Sequence, residues 1–231
     1  MKIKISTSRI IVGLLTIVIA LTLIDGIIRT IENIYGYENT TKIGRLFHTS
    51  AEGNIPSWFS SSLLLLSAFL SGVTAKISET KDYSFVRNWI ALAIIFLYLS
   101  LDEAAGLHEL SIDPLRVLLN TSGIFHFSWV IIALPLLLIF VGLNIKFLLY
   151  IPKDTRYLLV IAGGIYVSGA LGMEMLDGYI LSKQIVGGHI YGILTLIEEF
   201  LEHIGVSIFI YALLNYAKLH LQISDISLEL T

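Results

Sequence analysis

Glu198, Glu199, Glu202 and His203 fall close together inside an apolar segment, 190–216, that is long enough to cross a bilayer. On a helix Glu199 and His203 are i,i+4 neighbours, as are Glu198 and Glu202, so the four groups share one broad stripe. Ionisable side chains inside a span are costly; they face a bundle interior, pair with something, and mark a site or a pathway. Two more groups have this character. Asp102, Glu103, His108 and Glu109 crowd the end of an apolar run at 89–107, and Glu174 and Asp177 sit i,i+3 near the end of another at 157–181.

Three kinds of chemistry suit such groups. The first is a divalent metal site. Carboxylates with His suit Zn, Mn or Fe, and mostly carboxylate sites suit Mg or Mn. Helical bundles hold carboxylate-bridged metals with Glu and His at helical spacing. Asp102, Glu103, His108, Glu174, Glu199, Glu202 and His203 are the candidate ligands, and Glu103, Glu174 and Glu199 the candidate catalytic carboxylates. A metal with an open position would activate water or oxygen against a lipid or another membrane substrate. No His-Glu-x-x-His motif supports this. The second is proton- or cation-coupled transport, since carboxylates and His within spans also form relays and cation sites. No internal repeat of the kind many transporters carry is present, which a homodimer would offset. The third is a scaffold in which each acid pairs with Arg116, Lys183 or a hydroxyl.

The elements that must position these groups are membrane helices. The chain is 55% hydrophobic and 14% charged, with mean hydropathy +0.82, where soluble domains are about a quarter charged. It has no cysteine, which excludes disulfides, thiolate metal sites and Cys nucleophiles. Six spans are expected, at about 10–28, 57–75, 89–107, 126–149, 157–181 and 190–216, forming an all-α polytopic bundle in a single domain, 1–231. Asp25 and Arg29, i,i+4 at the end of the first span, read as an interfacial ion pair. Ile43, Leu46 and Phe47 suit a short surface helix, and Pro56 and Trp58 suit the interfacial start of the second span. Ser60, Leu64, Ser67, Ser71 and Thr74 form a packing stripe, as do Gly164, Ser168 and Gly172 at i, i+4 and i+8. Asp113-Pro114, Asn120–Gly123 and Gly187-Gly188-His189 read as turns, and Pro135 as a kink.

Basic residues set the orientation. Lys2, Lys4, Arg9, Lys76, Lys81, Arg87, Lys146, Lys153, Arg156 and Lys218 fall on one side, and Arg29, Lys42, Arg45, Arg116 and Lys183 on the other. Ten against five puts both termini in the cytoplasm. The acids then all lie in the outer half. Glu199 sits about 12–14 Å below the outer mouth, and Asp102, Glu103 and Glu174 about 6–10 Å deep, at about 1.5 Å per residue. This segregation points to one polar cavity, open to the outside, between the third, fifth and sixth spans. Adjacent Glu198 and Glu199 are not both expected to point into it.

Residues 54–61 (Asn-Ile-Pro-Ser-Trp-Phe-Ser-Ser), 101–109 (Leu-Asp-Glu-Ala-Ala-Gly-Leu-His-Glu) and 198–205 (Glu-Glu-Phe-Leu-Glu-His-Ile-Gly) together resemble an uncharacterised family of small bacterial multi-pass inner-membrane proteins. The resemblance implies an inner-membrane location and supplies no activity. There is a looser similarity to the ceramidase and adiponectin-receptor group of membrane hydrolases. Their His-x-x-x-His ligand pair is missing here, so their chemistry is not carried over. Membrane lipids are the expected partners, with a lipid or small-molecule substrate and no nucleic acid.

Overall fold

The apolar runs become helices whose ends are set by local chemistry. The computed structural model describes residues 2–4, 6–35, 42–49, 51, 53–81, 84–183, 188–221 and 227–229. Helix α1 is Thr7–Tyr35, α2 Lys42–Phe47, α3 Ile55–Thr80, α4 Val86–Ala105 and α5 Glu109–Leu119. A 3-10 turn at Gly123–Phe125 leads to α6 (Val130–Tyr150). A continuous helix then runs through α7 (Lys153–Val167), a π turn (Ser168–Met173) and α8 (Glu174–Lys183), before α9 (Gly188–Leu219). A three-residue strand pair, β1 (Lys2–Lys4) against β2 (Ser227–Glu229), sets Lys2 opposite Glu229 and brings the chain ends side by side.

Asn54 starts α3 with a capping box. Its side chain accepts from the Ser57 amide, its own amide donates to the Ser57 hydroxyl, both at 3.1 Å, and Pro56 follows in the first turn. Gly106 ends α4 in the left-handed conformation, φ 57°, donating to the Asp102 carbonyl at 2.7 Å, and Asn120 ends α5 at φ 50°. Asp113-Pro114, expected as a turn, lies inside α5. This short helix leaves Leu110, Val117 and Leu118 exposed, and that apolar face outweighs one proline. Gly188 and His189 are helical rather than a turn, and Gly187 lies outside the described residues.

Five of the described segments are long and apolar enough to cross a membrane: α1, α3, α4, α6 and the helix Lys153–Lys183. The chain is thus a membrane protein built as a helical bundle. The count among the described segments is five, against the six expected. Helix α9 is not among the five; its 32 residues span about 48 Å at 1.5 Å each, and its N-terminal half carries three glutamates.

Helix α9 is the hub, packed against α1, α3, α7, the π turn and α8. Its C-terminal half joins two apolar clusters. Val206, Ile210 and Leu214 meet Val18, Phe59 and Leu64, while Phe209, Leu213 and Tyr216 meet Trp89, Phe147 and Ile151. The hydroxyl stripe of α3 packs as expected, with Ser60, Ser67, Ser71 and Thr74 buried. Beside it Ser61 and Ser100 clasp α3 to α4, each hydroxyl donating to the other's carbonyl at 2.8 Å.

The small-residue stripe of α7 departs from expectation. Gly164, Ser168 and Gly172 are exposed, and a Cβ at Gly164 would meet nothing within 4 Å. The face turned to α9 is a different one, carrying Ala162, Tyr166 and Gly169, and Gly164 is already off it before the π turn begins. The close approach falls instead at Gly169, where a Cβ would lie 2.9 Å from the Glu198 carbonyl oxygen, and at Gly205, where one would lie 2.7 Å from the Tyr166 amide nitrogen.

Two outcomes are expected. Gly205→Ala should force α7 and α9 apart and cost about 1–3 kcal/mol, seen as a lower melting temperature in detergent, while Gly172→Ala should change little. Equal effects would place the seam elsewhere. Reporter fusions after Thr231 and within 36–52 should report opposite sides of the membrane, because α9 must cross for the chain ends to meet; the same readout from both would remove α9 as a span.

Candidate functional site

The N-terminal half of α9 lies where α1, α4, α7 and α8 converge, so its acids meet those of three other segments. Glu103, Asp25 and Arg29 act electrostatically on Glu199. Glu202 feels Glu199, Glu103, Glu174 and Asp102. Glu198 feels Glu174, Glu202, Glu199 and Asp177. Glu199 and Glu202 are enclosed by protein yet keep an intermediate share of accessible surface. They form a crowded, partly accessible seam between the helices, called the crevice below. The Tyr166 ring on α7 is enclosed with them and faces Glu202, Glu103, Asp102 and Glu199.

The outer part of this crevice is held by specific bonds. The Trp129 indole N–H donates to Glu174 Oε1 at 2.9 Å, and the Glu174 carboxyl reaches Glu198. Past the Gly106 turn the chain doubles back, so that Asp102 accepts from the His108 amide at 2.8 Å and lies 2.9 Å from its Nδ1. The His108 ring rests beside Trp129, centroids 5.0 Å apart. Burial alone would hold the His108 imidazole below its ordinary value. The hydrogen bond and charge of Asp102, with the charges of Glu174 and Glu109, outweigh it and hold the ring above that value. Asp177 is buried, bonded to Thr195, and its Oδ1 has no partner among the described residues.

The residues singled out by sequence therefore divide. Asp102, Glu103, His108, Glu174, Glu199 and Glu202 gather along one crevice. His203 turns away: its ring lies 5.5 Å from that of Phe59, and it bonds to the Glu199 and Pro56 backbones. Glu198, expected to point elsewhere, joins the crevice, because a helix enclosed on several sides buries more than one face. Among the described residues, no three His, Asp or Glu side chains stand close enough to hold a metal ion between them. Arg116, a suggested partner for the acids, instead bonds Asp113 at 3.1 Å and the His126 carbonyl at 2.9 Å.

Sequence reasoning missed a second polar centre at the end of α1. Asp25 is fully buried. Its Oδ1 takes Arg29 Nε at 3.0 Å and His48 Nδ1 at 2.8 Å; its Oδ2 takes the Thr49 amide at 3.1 Å and hydroxyl at 2.8 Å. His48 Nε2 lies 2.9 Å from Glu32 Oε2. No local spacing could have revealed this, since Asp25 and His48 are 23 residues apart. The one signal was an acid too far inside an apolar run for an interfacial pair.

Comparison with known proteins adds one match. A family model described as a domain of unknown function (DUF8692) matches residues 10–216. No curated protein matches the chain, and no solved structure does.

Asp102→Asn should lower His108, since the hydrogen bond and charge that most oppose burial are then gone. A raised imidazole stabilises the fold below its unfolded value and loses that contribution as pH rises through the folded value. The wild type should therefore lose stability between about pH 5 and about pH 8 relative to Asp102→Asn. Histidine NMR and melting in detergent check both points; a His108 midpoint indifferent to the substitution would show that Asp102 does not set it.

Proposed function

We propose that the chain, which belongs to the family described as a domain of unknown function (DUF8692), is a proton- or cation-handling protein of the bacterial inner membrane. Both its termini are cytoplasmic, and its acidic crevice opens to the extracytoplasmic side. The observation that carries this reading is the facing of Glu103, Glu199, Glu202 and Glu174 from three separate helical segments. Carboxylates gathered in a low-dielectric interior repel one another, and the repulsion is relieved by taking up a proton or a cation. A scaffold role would require each acid to be fixed for good by a counter-charge or a permanently retained proton. Arg29 faces Glu199, but it is already bonded to Asp25.

A second reading keeps the same residues. Oxygen donors from three helical segments suit a hard divalent ion such as Mg or Mn better than Zn, now that His203 has turned to Phe59. Glu103, Glu174 and Glu199 would then draw together around the ion, and an open position would serve chemistry on a lipid. A homodimer fits either reading.

Purified protein in liposomes separates the two. Proton or monovalent-cation flux that is unaffected by chelator and falls at least tenfold in Glu199→Gln and Glu202→Gln is the expected result, with both variants folding normally because each loses a repelling charge. Stoichiometric bound divalent metal, lost with chelator and in the same variants, would replace the first reading by the second. Wild-type flux in both variants would sink the crevice as the functional site.

A further inference from the structure

We propose that the corner formed by Asp25, Glu32 and His48 is a second proton-binding site, in which His48 is held as an imidazolium between two carboxylates. The geometry assigns the proton. Both ring nitrogens face carboxylate oxygens, Nδ1 at 2.8 Å from Asp25 and Nε2 at 2.9 Å from Glu32. A neutral ring has one N–H, so one nitrogen would turn a lone pair toward a carboxylate oxygen. The Nε2 contact lies off the line of a hydrogen bond, which makes it an ion pair and leaves its strength dependent on ring charge.

Charge balance points the same way. Asp25, Glu32 and His48 are all buried, and Arg29 completes the group through Asp25 Oδ1. Within these contacts, an imidazolium sets a second positive charge beside two buried carboxylates and one guanidinium, which is how ionised groups tolerate burial. Losing the His48 proton breaks one N–H bond and removes a positive charge from between the two carboxylates.

The corner is rigidly framed. Thr49 fills the remaining acceptor sites of Asp25 with its amide and hydroxyl. The Asn54 side-chain amide donates to the His48 carbonyl, so the residue that caps α3 also fixes the turn carrying the imidazole. Among the described side chains, the charged groups around His48 are Asp25, Glu32 and Arg29 on α1 and the exposed Arg45 on α2; the start of α3 offers the neutral Asn54. On α9, Glu199 lies beyond Asp25 and Arg29 and feels both. A proton leaving the corner therefore favours a proton arriving at Glu199. That last step rests on the proton-handling reading above; the corner itself does not.

The test is NMR of the full-length chain in nanodiscs with 15N-labelled histidine, the His48 signals being identified by their loss in His48→Asn. Both ring nitrogens should still carry protons at about pH 8, where an ordinary imidazole is neutral. Glu32→Gln and Asp25→Asn should each lower the proton affinity of His48 at least tenfold. Where Asp25→Asn does not fold, Glu32→Gln decides, because its carboxylate makes the single off-line contact. A neutral ring at that pH, or an affinity unchanged in Glu32→Gln, overturns the proposal. Glu199→Gln should lower the affinity at least twofold; no change there overturns the link to α9 and leaves the corner standing.

Discussion

The cost of a carboxylate in hydrocarbon governs this architecture. An acidic side chain at the centre of a span costs roughly 2.5–3.5 kcal/mol on insertion scales, and α9 carries three of them within five positions. A helix of that composition cannot face lipid along its length. It is accordingly the one surrounded by α1, α3 and the α7–α8 helix, while apolar α6 exposes Leu136, Leu138 and Leu143. The acid-bearing helix thus takes the centre and apolar α6 a rim position, because here the surrounding solvent is the apolar phase.

Enclosing α9 demands close packing against its backbone, and the π turn supplies it. With Gly169 and Gly205 at the contact, α7 approaches α9 to a distance that a single added methyl would prevent. The same approach sets Tyr166 among the acids and aims Glu174, the first residue after the π turn, at Glu198. A π turn leaves backbone hydrogen bonding less regular than an α-helix and is found most often where a site requires it. Here it trades regularity for one rotated face. Below it, Val206, Ile210 and Leu213 lock the apolar half of α9 in place, so the acidic half is held by a part of the helix that carries no charge.

What could be read from the sequence follows from how far each interaction reaches. The spans, the Pro56 start of α3, the α3 hydroxyl stripe and the crowding of Glu103 with Glu199 and Glu202 all rest on local signals or on depth along a helix, and each is a property of consecutive residues. The α7 seam was misplaced because small-residue spacing marks a face that could pack closely without saying which face does; the one turned to α9 carries Ala162, Tyr166 and Gly169 instead. Glu198 and His203 changed places because helical spacing gives relative angle but not which neighbours occupy each side. The Asp25–His48 corner was invisible for the simplest reason: its partners belong to different segments, and nothing near His48 distinguishes it from a loop histidine.

The two polar centres differ in charge accounting, and that difference separates their roles. At the α1 corner every acid has a cation within about 3 Å, the range of charge-assisted hydrogen bonds, and Asp25 has all its acceptor sites used. In the crevice, Asp102, Glu103, Glu174, Glu198, Glu199 and Glu202 gather with His108 and Arg29 as nearby basic groups; His108 is bonded to Asp102 and Arg29 to Asp25, outside the crevice. A balanced group keeps its geometry without help. An acid-rich one is stable only with something positive added, and the added charge must enter from water, along the side where the accessible surface lies. The corner touches the crevice through Arg29, whose guanidinium lies against α9 at Gly192, where any side chain would displace it. One guanidinium is thus shared between a centre whose acids are bonded to basic groups and one crowded with acids, so the charge state of each sets the field in which the other binds.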